Sequence, residues 1–442
     1  MLLRGRTCWL VALLALICLV KATDSRRIIS GTMSTDFRSF YFAGLGVLGQ
    51  GNIYDFEYLG TLAIRSGVTE RIYPYLYPPP LAFYVSPLTK LGATGASRLW
   101  YLLSVILSVV MLMQSMRLAF TLQGAGERWK DSPLPFLALL LFLVLPFDNN
   151  LKMGQVNIIV LTCVVVSLVQ ALAFDRDLLA GFLLAPAVLM KVTPLFLLLF
   201  FLLNRRYRTL WGCVVGLVIF TAPTVMVSGG LQSWQHFFGF MGSMSYGKTV
   251  PGLFPAASLP NFSVAGCIAR LAQSETTVTA VTSVLVLLLG VALLLQHRRL
   301  MRKGKGGLLV LPYLIFMIIA SPLTYLHHVV LIYPGLLITA WLIMPREKRG
   351  SYVLLAVMLG LAFIASTDFP LLYNRLQING GILSSVNLYA LLILFILGLV
   401  LPKTRGVTWD ECKSARPEQG APADADGPRP HRHKTRNCEN RN

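Results

Sequence analysis

The chain reads as an all-α polytopic membrane protein with a large first extracytoplasmic loop, and three observations carry that reading. Its 442 residues are 55% hydrophobic and only 13% charged, about half the roughly 25% charge of soluble domains. The apolar residues gather into runs of spanning or near-spanning length. The net charge of +20 sits largely in short clusters between those runs: Arg205-Arg206-Tyr207-Arg208, His297 to Lys305, and Arg346-Glu347-Lys348-Arg349. That is the placement of positive-inside loops, so topology explains the charge and nucleic acid does not.

The elements follow in order. Residues 1–22 carry Arg4 and Arg6 ahead of an apolar run from Cys8 to Val20, the pattern of a cleaved signal peptide or an uncleaved anchor. Leu16-Ile17-Cys18 lacks the small residue of a lipoprotein cleavage site, and the many later runs favour an anchor with a cytoplasmic N-terminus. Further runs fall at 99–120, 133–146, 156–174, 178–190, 193–203, 209–227, 277–296, 307–321, 329–344, 352–366 and 386–401. With the anchor they make about twelve transmembrane helices.

Alternation fixes the sides. If the anchor runs outward, 23–98 is an extracytoplasmic loop with interfacial helices, and every second connection in the multi-span domain 99–401 is cytoplasmic. The basic clusters then share one side with 123–131, with 175–177 and with the tail 402–442, whose polar, proline- and charge-rich composition reads as disordered. A second outer loop covers 228–275. Two conditions keep this consistent. Pro78–Leu91 must lie half-embedded or on the surface, and Leu178–Leu203 must be two short antiparallel pieces broken near Lys191-Val192-Thr193-Pro194, where proline ends a helix cheaply. A continuous helix across Lys191 would invert everything downstream. No internal repeat is visible.

Chemistry on the outer face has few candidate carriers. All nineteen acidic residues lie outside the apolar cores. An outward-facing general base must come from Asp24, Asp36, Asp55, Glu57, Glu70, Asp148, Glu275 or Asp368, or from His236, His327 or His328. Asp36, among Phe37, Phe40 and Tyr41, is either such a base or the cap of a helix over Phe37–Gly46. Tyr54-Asp55 fits turn chemistry after Gly49–Asn52 as well as a site. Tyr73–Pro80 reads as a rigid polyproline-like lead into a helix and, compatibly, as an aromatic platform for a sugar. Lys191, inside an apolar stretch, is costly there and suits a lipid phosphate, unless it merely snorkels to headgroups. Gln155 and Asn157 open a span and can cap or pair between helices. The adjacent His327 and His328 lack a third partner for a metal, so hydrogen bonding is the better reading. The seven cysteines show no zinc or redox spacing. Neither a metal nor a cofactor is expected.

Taken together these motifs resemble the bacterial glycosyltransferase family 87, membrane mannosyltransferases of the GT-C superfamily that use polyprenyl-phosphate sugars. The resemblance rests on Asp36 with Tyr41, Tyr54-Asp55, Tyr77-Pro78-Pro79, Gly154-Gln155-Val156-Asn157, Lys191 with Pro194, Asn261-Phe262-Ser263 with Arg270, and Ser321-Pro322 to His328. It covers about 36–334 and departs at Pro260-Asn261-Phe262-Ser263, where Asn-Gln-Ser is expected. It implies a GT-C-like bundle in the inner (plasma) membrane, a polyprenyl-phosphate sugar donor, and a lipid or glycan acceptor. It also implies inversion with Asp36 as base, with Lys191, His328 and Arg270 at the donor phosphate. Tyr41, Tyr54, Asp55, Tyr77, Gln155, Asn157 and His327 are the remaining candidates for donor or acceptor binding. The rival classes are a secondary transporter, which a broken span with an internal lysine would fit, and a lipid-linked glycan ligase or assembly partner.

Overall fold

Phe37, Phe40 and Phe42 are wholly buried on one short helix, α1 (Thr35–Leu48), and around them the first loop folds. The computed structural model describes residues 33–122, 145–227, 229–272, 274–303, 306–343, 349–369 and 382–401, and among these the regular structure is entirely helical. The N-terminal anchor, Asp24, the connection 123–131, most of the run 133–146 and the tail 402–442 lie outside the described residues.

After α1 the loop turns into α2 (Phe56–Arg65), capped by Asp55, and runs extended through Ile72–Pro78. It then enters α3 (Pro79–Val85) and a 3₁₀ turn, Ser86–Leu91, before Gly92 at φ 70 bends the chain into α4 (Gly92–Leu122). The Pro78–Leu91 segment, expected half-embedded or on the surface, is a short helix and a 3₁₀ turn packed against α1. Pro79, Pro80, Leu81, Ala82 and Val85 are buried, because Gly44 of α1 lets the backbone at Ser86 approach closely, about 3.1 Å from where a Cβ would stand.

The expected break at Lys191 is present. Helix α5 (Leu145–Met153) is followed by α6 (Asn157–Leu168), a π-type turn and α7 (Asp177–Met190). Lys191 is extended at φ −156 and ψ 129; a 3₁₀ turn, Thr193–Leu195, then leads into α8 (Phe196–Leu203). The chain returns to where it left, since Arg206 pairs with Asp177 at 2.6 Å and Asp175 at 3.0 Å. At about 1.5 Å per helical residue, α7 climbs roughly 21 Å and the Lys191 turn sits at the far end. Helix α9 (Tyr207–Met226) runs parallel to α7, with Gly212 against Leu178 and Gly181 against Thr209. A side chain at either glycine would collide with the facing carbonyl, the close small-residue packing typical of membrane helices.

The rest comprises α10 (Gly230–Met241), α11 (Val264–Leu271), α12 (Glu275–Met301), α13 (Val310–Ile319), α14 (Tyr333–Ile343), α15 (Arg349–Ala365) and α16 (Val386–Val400). Every residue of α13 is buried, which makes it a central helix. By contrast α9 and α12 turn Trp211, Val218, Ile219, Leu287, Leu288 and Leu295 outward. Apolar faces of that extent suit lipid rather than water. Among the described residues three helical stretches, Pro79–Ala119, Tyr207–Met226 and Glu275–Met301, are long and apolar enough to cross a membrane, and the other apolar helices there span 10–17 residues.

Candidate active site

The corner between α5 and α6 builds the site. Gly154 adopts φ 68 and carries no side chain for two reasons, since a Cβ there would lie 2.8 Å from Phe37 and from Ser34. Its carbonyl accepts from Trp100 Nε1 at 2.8 Å, and Gln155 N–H returns to Asn150 O at 2.9 Å. The close approach brings Gln155 to the first turn of α1, where its Nε2 donates to Asp36 Oδ2. Tyr77 OH donates to Gln155 Oε1 at 3.1 Å, which orients the amide. Tyr77 itself packs edge-on to Phe40 at 4.9 Å, and its carbonyl receives Tyr54 OH at 2.8 Å.

Asp36 therefore does not cap its helix; Ser34 holds the cap position and Asp36 faces a cavity of about 760 Å³. Tyr77, Gln155, Lys191, His327 and His328 line the same cavity, with Ser39, Tyr73, Tyr325 and Asp368. Burial pushes the Asp36 carboxyl up to about 6, opposed by the Gln155 hydrogen bond and by the charges of Lys191 and Arg38. At the Lys191 turn, burial pushes the ammonium down to about 7, with Asp36 opposing the shift. The two groups thus hold opposite charges between those values, and each is close to the pH at which it could exchange a proton or a ligand.

Lys191 Nζ donates to Asn157 Oδ1 at 2.7 Å. On the facing wall, Tyr325 N–H donates to His328 Nδ1 at 3.1 Å. A neutral ring that accepts at Nδ1 carries its proton at Nε2, so His328 presents a donor. His327 and His328 rings meet edge-on at 4.4 Å. Among the described residues no three His, Cys, Asp or Glu side chains converge as a metal set would.

Five sequence candidates do not line the cavity: Tyr41, Tyr54, Asp55, Arg270 and Asn157, the last meeting it only through Lys191. Tyr41 is buried between Phe37 and Phe42, and its hydroxyl reaches Thr89 O at 3.4 Å. Tyr54 stacks on Phe240 at 5.6 Å and spends its hydroxyl on Tyr77. Asp55 caps α2 by accepting from Glu57 N–H at 2.9 Å and Tyr58 N–H at 3.1 Å, so its turn reading holds. Arg270 binds backbone rather than facing the cavity: Nη1 donates to Ser258 O at 3.0 Å and Asn261 O at 2.8 Å, and Nη2 to Ser385 Oγ at 2.7 Å. Its guanidinium ties down the loop in which Asn261 accepts Thr324 N–H at 3.0 Å, and that loop braces the wall carrying His327 and His328. Asn150 and Tyr325 escaped the sequence reading. Asn150 stands seven residues before Asn157, a spacing that places both polar groups toward one interior across the Gly154 corner.

Comparison with known proteins identifies the family of the chain. The sequence model of glycosyltransferase family 87 matches residues 75–322, a span that includes Tyr77, Gln155 and Lys191. A polyprenol-phosphate-mannose-dependent alpha-(1-2)-phosphatidylinositol mannoside mannosyltransferase of Mycobacterium tuberculosis is 25% identical over 311 residues, 68% of this chain and 69% of the relative. The enzyme of the same description from Mycolicibacterium smegmatis is 24% identical over 355 residues, 74% and 76% of the two chains. A third relative, the pentamannoside mannosyltransferase of that organism, is 24% identical over 352 residues, 76% and 77%. No solved structure matches. With more than half its length matched, this membrane protein belongs to glycosyltransferase family 87.

Proposed function

We propose that the protein transfers mannose from a polyprenyl-phosphate donor to a lipid acceptor, with inversion, at an active site on the outer face of the inner (plasma) membrane. The observation that carries this reading is a carboxylate, an ammonium and an imidazole donor sharing one cavity: Asp36, Lys191 and His328. The relatives' names supply the sugar, the lipid carrier and a glycolipid acceptor. In this reading about twelve spans leave 23–98 and 228–275 outside and the tail 402–442 in the cytoplasm, a sidedness supported by the distribution of the basic clusters. On that side a cytosolic nucleotide sugar is out of reach and a lipid-carried donor is the fitting one.

In the proposed reaction, an acceptor hydroxyl oxygen attacks C1 of the mannosyl phosphate. The C1–oxygen bond to phosphate breaks, its electron pair leaves with polyprenyl phosphate, and the hydroxyl proton passes to Asp36. A carboxylate that titrates near 6 is ionised at neutral pH yet basic enough to accept that proton. The phosphate gains one negative charge as it departs. Lys191 and the His328 Nε2–H stabilise the developing charge, so the leaving group needs no strong acid. Tyr77 and Gln155 hold Asp36 in line, and the aromatic wall of Tyr73 and Tyr325 offers apolar ring faces to the sugar.

The test is incubation of the purified chain with labelled polyprenyl-phosphate mannose and a mannosylated lipid, with product analysis for a new glycosidic bond of inverted configuration. Retention of configuration would remove Asp36 from the base role. Uptake into reconstituted vesicles with no new bond would replace transfer with transport.

A further inference from the structure

We infer that Asn150 and Asn157 are positioning residues that form a buried amide relay, locking the Lys191 ammonium and the His327–His328 wall into one geometry. Their orientation is forced by their partners. Asn150 Nδ2 donates to two carbonyls, Pro146 O at 2.6 Å and His327 O at 2.6 Å. A carbonyl only accepts, so the amide nitrogen of Asn150 must face them and its oxygen must face the other way. That oxygen takes Asn157 Nδ2 at 3.0 Å, and the same nitrogen reaches His327 O at 3.3 Å. With its nitrogen committed, Asn157 has only its oxygen to offer Lys191, which donates to it at 2.7 Å.

Both amides are almost completely shielded from solvent, at 1% and 0% exposure, and both side chains find partners for the donor nitrogen and the acceptor oxygen. Buried networks satisfied to this degree rigidify what they connect. What they connect here is four separate elements: α5, α6, the turn after α7, and the 3₁₀ segment Leu326–Ile332. The relay thus joins a cation that lines the cavity to the backbone that carries His327 and His328. Neither asparagine lines the cavity, so each acts through another group.

The inference rests on the proposed donor site in one respect only, the role of Lys191 toward phosphate. The experiment separates the two. Lys191 reacts with a water-soluble acylating reagent only as the neutral amine, so labelling of the purified full chain against pH, read by mass spectrometry, reports its protonation without turnover. The charged and titratable groups that face it are Asp36 on α1 and His327 and His328 on the opposite wall. Asn157→Leu removes a hydrogen bond to the charged form and should move the labelling midpoint down by about one pH unit, roughly tenfold faster labelling at a fixed pH below the midpoint. Asn157→Asp adds a carboxylate beside the ammonium and should move it up by a similar amount. Asn150→Ala, which leaves Asn157 able to rotate, should shift it in the Leu direction but by less.

Midpoints unchanged in both Asn157 variants would overturn the relay. General structural damage would give equal changes at other lysines such as Lys152, and that outcome would also overturn it. In parallel, Asn150→Ala and Asn157→Leu should raise the donor KM about tenfold with the acceptor KM unchanged. Shifted midpoints with an unmoved donor KM would uphold the relay and instead remove Lys191 from the donor phosphate.

Discussion

Asp36 and Asp55 stand nineteen positions apart in one loop, each at the start of a helix and each beside aromatic residues, yet their surroundings assign them opposite duties. Asp55 points back at the N–H groups of Glu57 and Tyr58 and stays exposed. Asp36 lies one residue inside its helix, meets the amide of Gln155 from a distant part of the chain, and faces the cavity. A capping carboxylate is satisfied by its own segment, whereas Asp36 is satisfied by a segment 119 residues away. On the proposed mechanism, what separates scaffold from chemistry is therefore the origin of the partner, not the residue type.

The largest expected effect breaks that comparison at its centre. Asp36→Asn should lower kcat about 10³-fold, within the usual range for loss of a general base, while Asp55→Asn should stay within about twofold of wild type, both read as product formed from labelled donor. Comparable losses in the two variants would erase the distinction. A second contrast pairs the two cations. Lys191→Ala should raise the donor KM about 10- to 100-fold, the size expected for a charge-assisted hydrogen bond. Arg270→Ala should instead reduce thermal stability, because three contacts to the loop and to Ser385 are lost, with the donor KM little changed.

The pH dependence sharpens the pairing of Asp36 with Lys191. Asp36 acts deprotonated, so kcat/KM should rise with pH through about 6; Lys191 acts protonated, so it should fall through about 7. The profile of kcat/KM is then a narrow bell. Bound phosphate favours the ammonium, so the alkaline limb of kcat should lie at higher pH. Lys191→Arg should abolish that limb, since a guanidinium does not titrate in the range. The smallest effect belongs to the cap: Asp55→Ala should cost about 1 kcal/mol of stability, measured as a lower unfolding midpoint, with turnover kept.

The hairpin at Lys191 was legible because proline and a lone cation inside apolar sequence leave few alternatives, and the Arg206–Asp177 pair shows the chain returning to its starting level. Asp36 stood out in the sequence because few carboxylates are expected on the outer face, and the structure puts it on the wall of the cavity. The aromatic residues were not. Tyr41, Tyr54 and Tyr77 look equivalent in sequence, and only packing turns the first toward Thr89, the second toward Phe240 and the third toward Gln155. Arg270 is ambiguous in sequence for a related reason, since a cation in a loop serves a phosphate or a backbone carbonyl equally well until the loop is folded, and here it holds Ser258 O, Asn261 O and Ser385 Oγ. Asn150 has only a weak signature, its seven-residue spacing from Asn157, because its other partners are carbonyls, which every residue owns.

The turn at Gly154 has a consequence for biogenesis. Asp36 leaves the ribosome long before Gln155, Lys191 and the His327–His328 wall, so a nascent chain carries the carboxylate through insertion without its amide, its cation or its opposite wall. Helix α1 can settle against the Gly154 corner once that corner is made, but all four groups share one enclosure only when synthesis has passed residue 328. On the proposed mechanism the nascent chain lacks its complete site until then, and a side chain at position 154, which would meet Phe37 and Ser34, should leave the finished molecule with the same deficit.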